Sequence, residues 1–186
     1  MTEVRVDCIV PAAGRSERMG RWKPVLPFGD RTIIESVVGT ALCVCSRVLL
    51  VTGYRGDELA ALFEGEPRVV PVENQDWQQG MFSSIRCGIA RVNTPRFFVT
   101  LGDMPWITDA VYEALLGQDE ADAVFPVHGG TRGHPVLFHE RVRAAVASAD
   151  PARGSMRTIT ESFQVSEMSW PDDTILRDID TESDLR

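Results

Sequence analysis

Lysine is almost missing from this chain of 186 residues: Lys23 is its single lysine, and the other basic side chains are all arginine. Long apolar runs are missing as well, since no segment reaches the roughly 18 apolar residues of a membrane span. The N-terminus lacks a secretion signal, because Asp7 interrupts its one apolar run. These absences predict a cytoplasmic protein with no membrane partner.

The chain also has few cysteines and an acidic balance. Its four cysteines include no C-x-x-C pair, which favours small buried side chains in a reducing compartment over a zinc site or a disulfide. The formal net charge of −8 repels nucleic-acid backbones, so we expect no nucleic-acid partner. A local cluster of basic residues therefore favours a small anionic ligand.

Strand-like and helix-like segments alternate along the chain. The predicted strands are 4–10, 47–52, 68–72, 96–101 and 122–127, and the predicted helices are 32–42, 56–63, 81–92 and 108–116, with Asp57 and Thr108 as N-caps. After residue 128 we expect a short strand over 135–138, a helix over 140–148 and edge or antiparallel additions.

This alternation predicts an α/β fold with one doubly wound, mostly parallel, Rossmann-like sheet and antiparallel additions in the C-terminal part. We interpret residues 1–186 as one domain, with a nucleotide-binding half over about 1–106 and an acceptor-binding half over about 107–186. Ligands of such sheets bind where the strands end at their carboxyl side. The loops of interest are therefore 11–23, 53–56, 73–84 and 102–107.

The loop Ala12–Lys23 reads AAGRSERMGRWK and concentrates glycine and positive charge. It is not a P-loop, because five residues separate Gly14 from Gly20 and a proline follows Lys23. It is not a dinucleotide fingerprint either, since Ser16 stands where glycine is needed. Glycine lets a backbone approach phosphate closely, and arginine and lysine bind it. The loop predicts a phosphate site, and a solvated basic loop is the alternative.

Carboxylates follow at two places. Asp103 comes directly after an apolar strand, where a helix cap or a cation ligand is expected, and Asp178 and Asp180 lie two residues apart near the C-terminus. In an extended segment these two would share one face; an acidic, frayed terminus is the alternative. Mg²⁺ takes one or two protein carboxylates and completes its shell with phosphate oxygens and water. The basic loop and the carboxylates together indicate handling of a Mg²⁺–triphosphate.

Five motifs, in order, resemble the molybdenum cofactor nucleotidyltransferases of the NTP transferase superfamily, and among them the molybdenum cofactor cytidylyltransferases. The motif A-A-G-x-S-x-R-M-G-x-x-K stands at 12–23, and the segment with N-x-x-W-x-x-G-M-x-x-S appears as NQDWQQGMFSSIRCG, from Asn74 to Gly88. D-M-P stands at 103–105, and RGHPVLF (132–138) and DIDT (178–181) follow. These motifs span nearly the whole chain.

The resemblance implies transfer of a nucleoside monophosphate to the terminal phosphate of a pterin, with release of pyrophosphate and Mg²⁺ as cofactor. It implies roles for several residues: catalysis by Arg18, Lys23 and Asp103; nucleotide binding by Ala12, Ala13, Gly14, Arg15, Ser84 and Gly88; acceptor binding by Arg132, Gly133 and His134; and metal binding by Asp103 and Asp180. For His134 a structural turn is an equal alternative. The implied partners are a nucleoside triphosphate, a pterin-phosphate acceptor and a molybdoenzyme or its chaperone as receiver.

The nucleotide base depends on residue 13. The related guanylyltransferases open with A-G-G, whereas this chain has Ala13, whose methyl group would favour a pyrimidine over guanine. We therefore expect CTP. The alternatives are a guanylyl- or sugar-phosphate nucleotidyltransferase and, in another class, a non-catalytic protein that binds the cofactor.

Overall fold

A central sheet organises the chain in the computed structural model, which describes residues 5–185 apart from the side chain of Arg18. Its eight strands in this part of the chain are β1 (Asp7–Pro11), β4 (Arg47–Thr52), β5 (Val69–Glu73), β6 (Arg96–Val99), β7 (Ala123–His128), β8 (Thr131–Arg132), β9 (Val136–His139) and β10 (Val165–Ser169). The strands β2 (Pro27–Phe28) and β3 (Arg31–Thr32) form a separate hairpin. In the sheet the order is β5-β4-β1-β6-β9-β7-β10, with β8 paired to β7.

The sheet is parallel from β5 to β6, and β9 runs antiparallel between β6 and β7. The edge strand β10 returns to a parallel pairing with β7. A mostly parallel sheet with antiparallel additions in its C-terminal part is the predicted architecture, and the prediction is confirmed.

In the described part of the chain, six α-helices cover the two faces of this sheet: α1 (Ile33–Val44), α2 (Gly56–Ala61), α3 (Met81–Ile89), α4 (Asp109–Leu116), α5 (Arg143–Ser148) and α6 (Met156–Thr160). Side chains alternate between the faces of a strand. In β1, Cys8 and Val10 pack into the core under α1, α2 and α4, whereas Ile9 packs under α3 and α5. Over residues 5–185 none of the helices has the length and hydrophobicity to cross a bilayer.

The helix starts differ in how well the sequence predicted them. Thr108 is the N-cap of α4 as expected. Asp57 is not an N-cap, which corrects the prediction: α2 begins at Gly56 after Arg55, which has a left-handed φ of 53°, so Asp57 lies in the first turn. There its carboxylate still complements the helix dipole.

The C-terminal part departs further from the sequence-based boundaries. The predicted helix over 140–148 is divided into a 3-10 turn at Glu140–Val142 and α5. The short polar elements α6 and β10 were expected only as unspecified additions. At the other end, Val4 of the first predicted strand lies outside the described residues.

A buried ion pair joins the starts of β1 and β4. Asp7, whose side chain is 2% exposed, accepts hydrogen bonds from Arg47 Nε at 3.0 Å and Nη2 at 2.8 Å, and a third from the Asn93 N–H. The two residues are direct partners in the parallel register. The Asp7 hydrogen bonds also hold the pKa of the Arg47 guanidinium above its usual range. The carboxylate that interrupts the N-terminal apolar run is thus fully paired.

Candidate active site

The site lies at the switch point of the sheet. From β1 the chain crosses to β4 on one side, whereas β6 pairs with β1 on the other side, so the loops after β1 and β6 diverge. Ligands of open α/β sheets bind at this point. A cleft of about 550 Å³ opens there, lined by Pro11, Ala12, Gly14, Arg15, Ser16, Glu17, Lys23, Pro24, Trp77, Gln78, Met81, Gly102 and Asp103.

The loop after β1 folds back so that its two ends meet. Ser16 has a left-handed φ of 58°, a 3-10 turn covers Glu17–Met19, and Gly20 is left-handed at 68°. The Lys23 N–H then donates to Ser16 Oγ at 3.1 Å. This contact between the serine and the lysine of the motif brings Lys23 back to the cleft, beside the first residues of the loop.

The Lys23 side chain reaches two carboxylates that lie far away in the sequence. Its Nζ lies 2.8 Å from Asp180 Oδ1 and 3.3 Å from Asp103 Oδ2. Lys23 is only 7% exposed, so this ammonium is held inside the cleft wall. The structure thus brings together three residues that the sequence assigned to catalysis and metal binding.

A third carboxylate, Asp178, joins the group. One oxygen each of Asp103, Asp178 and Asp180 lies within 4.8 Å of the others, an arrangement that could hold a metal ion. Between the two C-terminal carboxylates, Ile179 is fully buried against Leu26 and Ile33. Alternation about this anchor turns Asp178 and Asp180 to the same side, as their spacing predicted. Asp178 was noticed in the sequence, but it was not assigned to the metal site.

We refer to residues 176–181 as the C-terminal arm. The Ile179 N–H donates to the Asp103 carbonyl at 2.9 Å, which fixes the arm to the loop after β6. Trp106 follows in the same loop and packs edge-on against Phe28 at 5.4 Å between ring centroids. The Arg177 guanidinium lies 4.3 Å from the Trp106 ring centroid. The acidic terminus is therefore docked rather than frayed.

Burial raises the pKa of the Asp103 carboxyl, and the neighbouring Lys23 ammonium partly opposes this effect. The Asp178 charge adds to the increase. A carboxylate that is buried beside a like charge gains most from a cation. Three convergent carboxylates also match the oxygen ligands that Mg²⁺ prefers, so the residues present fit a magnesium ion.

Trp77 is an aromatic residue in the cleft lining, and its ring lies 6.0 Å from the ring of Tyr54. Trp77 is pressed against Gly53, where an added Cβ would lie 2.7 Å from Trp77 Cγ. The Arg15 guanidinium lies over the Trp77 ring at 5.0 Å and over the Tyr54 ring at 5.5 Å. Met81 beside them is 51% exposed. In the sequence Trp77 is recognised only as part of the N-x-x-W motif, although an aromatic residue in a loop that follows a strand is itself a usable signal of a ligand site.

The remaining residues of the first loop are partly placed. Ala12 and Gly14 line the cleft, whereas Ala13 is buried and its carbonyl accepts the Tyr54 N–H at 3.0 Å. The backbone of Arg18 lies in the Glu17–Met19 turn, but its side chain is outside the described part of the chain. The roles of Ala13 and Arg18 stay predictions.

Ser84 and Gly88 are buried in α3 and are not among the cleft-lining residues. Ser84 Oγ accepts a hydrogen bond from the Asn74 side-chain amide at 3.0 Å. A Cβ on Gly88 would lie 2.5 Å from Ile9 Cγ2, so this glycine permits α3 to approach β1 closely. Both residues therefore have packing roles, and their contact with a nucleotide stays a prediction.

Of two motif glycines, Gly88 should be sensitive to replacement by alanine and Gly14 should not. Gly88→Ala should lower the free energy of unfolding by about 1–3 kcal/mol, because the new methyl overpacks the α3–β1 contact. Gly14→Ala should leave stability within about 0.5 kcal/mol, because its Cβ would meet nothing within 4 Å. Denaturant titration measures both, and a Gly88→Ala protein of unchanged stability would contradict the packing role.

Arg132, Gly133 and His134 are not among the cleft-lining residues, and Gly133 and His134 contact Ile175, which precedes the arm. Arg132 pairs with Glu167 at 2.7 Å on the surface. A Cβ on Gly133 would lie 2.3 Å from the Ile175 carbonyl oxygen, and the His134 N–H donates to the same oxygen at 2.9 Å. Burial lowers the pKa of His134, which favours its neutral form. His134 thus lies in a buried bend between β8 and β9, and acceptor binding stays a prediction.

A parallel α/β sheet with a lysine, an acidic cluster and a glycine-rich loop at its switch point defines the class of a nucleotidyltransferase. The sequence matches the family described as "MobA-like NTP transferase domain" over residues 8–167, and the chain belongs to this family. The relationship to molybdenum cofactor nucleotidyltransferases that the motifs predict is confirmed, as is the prediction of an enzyme.

Two curated relatives show how the chain lies within the family. It is 39% identical over 132 residues to the molybdenum cofactor cytidylyltransferase of Escherichia coli (strain K12), covering 71% of this chain and 69% of that protein. It is 28% identical to a probable molybdenum cofactor guanylyltransferase of Mycolicibacterium paratuberculosis, covering 96% of this chain and 92% of that protein.

Among solved structures, the fold is similar to that of Rv0371c from Mycobacterium tuberculosis H37Rv. The TM-score is 0.82 at 24% identity, covering 97% of this chain and 95% of the other. A second structure of Rv0371c, a complex with manganese, has a TM-score of 0.78 at 23% identity, covering 97% of this chain and 95% of the other. At these identities the likeness supports the fold alone.

Proposed function

We propose that the protein transfers CMP from CTP to the terminal phosphate of molybdopterin or the molybdenum cofactor, with Mg²⁺ as cofactor and release of pyrophosphate. The observation that carries this proposal is the convergence of Lys23 with Asp103 and Asp180 in the switch-point cleft. The higher identity to a cytidylyltransferase supports cytidine as the nucleoside.

The reaction needs no covalent intermediate on the protein. An oxygen of the acceptor's terminal phosphate attacks the α-phosphorus of CTP, a new P–O bond forms, and the bond to the β-phosphate breaks as pyrophosphate leaves. Mg²⁺ bound at the carboxylates would neutralise charge on the phosphate oxygens. Catalysis then consists of alignment and charge stabilisation.

Residues of this chain divide these tasks. Asp103, Asp180 and Asp178 hold the metal ion, and the Lys23 ammonium stabilises the triphosphate. Gly14 lines the cleft and an added Cβ there meets only open space, which supports a close approach of the ligand to the backbone. Arg18 and Arg15 are the further cations that we propose for the phosphates. The positive charges of these side chains thus suit the negative charge that the triphosphate carries during the reaction.

We also propose roles for the two predicted halves of the chain. All residues that line the cleft come from positions 11–103, which supports nucleotide binding by the first half of about 106 residues. The second half supplies Asp178 and Asp180 to the metal centre. We propose that its remaining surface, including Arg132–His134, receives the pterin phosphate, and that a molybdoenzyme or its chaperone takes the product.

A melting panel with CTP, GTP, UTP and ATP in Mg²⁺ tests the nucleotide. CTP at about 100 times its dissociation constant should stabilise the protein by about 2.7 kcal/mol, or roughly 5–10 °C for a domain of this size. The shift should vanish with EDTA, because the triphosphate then lacks its metal.

The panel also separates the alternatives. A shift with GTP alone would favour a guanylyltransferase, which the longer alignment with the probable guanylyltransferase makes the second candidate. Protein that melts at the same temperature with every nucleotide would contradict the enzymatic proposal.

A further inference from the structure

The Lys23 ammonium occupies the place that a metal ion needs. It bonds to Asp180 Oδ1 at 2.8 Å and to Asp103 Oδ2 at 3.3 Å, and oxygens of these same side chains belong to the group that could hold a metal. A Mg²⁺ ion binds carboxylate oxygens at roughly 2.0–2.1 Å, well inside the distance of an ammonium contact. One oxygen set cannot serve both cations at full strength, since the two would also repel each other.

Charge favours the exchange of one cation for the other. The Lys23 ammonium brings one positive charge to two members of a group of three carboxylates whose oxygens lie within 4.8 Å of one another. Because the Asp103 side chain is only 30% exposed, water screens the repulsion between these carboxylates poorly. A doubly charged ion neutralises the group better than a single ammonium.

The lysine can move without moving the loop. Its backbone N–H is held by Ser16 Oγ at 3.1 Å, and Pro24 follows it in the 3-10 turn Lys23–Val25. Only the flexible four-carbon side chain needs to turn, and Lys23 lines the cleft in which the triphosphate would lie.

We propose that Lys23 is the resident counter-ion of the metal-binding carboxylates and that a divalent ion displaces it toward the phosphates of the nucleotide. The inference rests on the proposed function, because the triphosphate is the new partner of the ammonium. Metal alone must break the ion pairs of Lys23, whereas metal with nucleotide gives the lysine another anion. The two ligands are therefore positively coupled through one side chain, and the coupling is reciprocal.

The test compares Mn²⁺ binding, followed by electron paramagnetic resonance, in the unmodified protein, Lys23→Met and Arg21→Met. Without nucleotide, Lys23→Met should bind Mn²⁺ more tightly by about three- to tenfold, because the competing cation is gone. Arg21→Met removes a charge from the same loop. Within residues 5–185 the carboxylate that pairs with Arg21 is Glu182, at 3.3 Å, so the affinity of this variant should change by less than about twofold.

A second measurement uses the same proteins with CTP. Nucleotide should tighten Mn²⁺ binding more in the unmodified protein than in Lys23→Met, since only the former releases an ammonium. Mn²⁺ should also raise the melting temperature of Lys23→Met by more than it raises that of the unmodified protein, which checks the affinity by an independent route.

A folded Lys23→Met protein with unchanged or weaker Mn²⁺ binding would overturn the exchange, since a merely structural lysine predicts that loss. Asp103→Asn should abolish tight Mn²⁺ binding. If tight binding is retained, the ion lies elsewhere and the exchange is overturned as well. If Mn²⁺ behaves as expected but no variant binds a nucleotide, the exchange at the carboxylates is supported and the proposed function is contradicted.

Discussion

Replacing Asp103 by asparagine should lower turnover by at least about a thousandfold while the protein stays folded. Asparagine keeps the shape of the side chain but removes the charge that a metal ion needs. The group also loses its most buried carboxylate, the one whose pKa burial raises. The measurement is release of pyrophosphate from CTP and acceptor, with far-ultraviolet circular dichroism to follow the fold.

A matched control comes from the helix that follows. Asp109 is an exposed residue at the start of α4, outside the carboxylate group, and its carboxylate accepts the Ala110 N–H, so Asp109→Asn should retain nearly full activity. Asp178→Asn should lie between the two, because its carboxylate joins the group but is exposed. Near-normal turnover of Asp103→Asn with Mg²⁺ would show that the metal lies elsewhere.

Replacing Arg47 by methionine should destabilise the protein by about 3–5 kcal/mol, because it leaves a buried carboxylate without its cation. Asp7 is 2% exposed and receives two of its hydrogen bonds from this guanidinium. Denaturant unfolding measures the loss, and the site itself should remain intact in the folded fraction.

Two comparisons separate burial from mere ion pairing. Arg132→Met breaks an exposed pair with Glu167 and should cost less than about 1 kcal/mol. The double variant Asp7→Asn, Arg47→Met should recover part of the loss, since no unpaired charge then remains inside. An Arg47→Met protein as stable as Arg132→Met would contradict the importance of the buried pair.

The sequence alone predicted the sheet and most of the residues that meet in the candidate site, for identifiable reasons. Lys23 and Asp103 were found because a glycine-rich loop and a carboxylate each follow an apolar strand. Asp180 was found through its motif, and the spacing of DIDT correctly put Asp178 on the same side. Apolar strands and strand-end polar residues are local signals, and local signals survive in a sequence.

What the sequence missed depends on register and packing. The Asp7–Arg47 pair spans 40 positions and exists only because β1 and β4 align those residues. Gly88 belongs to a motif, but the contact of its position with Ile9 appears only when α3 lies on the sheet. The strand β10 is short and mostly polar, so its extended structure depends on its pairing with β7 and not on its composition.

The burial of the chain's one lysine has a practical consequence for labelling. Reductive methylation with ¹³C-formaldehyde would place a label on a single side-chain amine, Lys23, in addition to the terminal amine. Because Lys23 is 7% exposed and its amine is ion-paired, the amine should react slowly until a ligand draws it away from the carboxylates. Lys23 thus offers a single site for a spectroscopic label in the wall of the cleft, with no competing lysine signal.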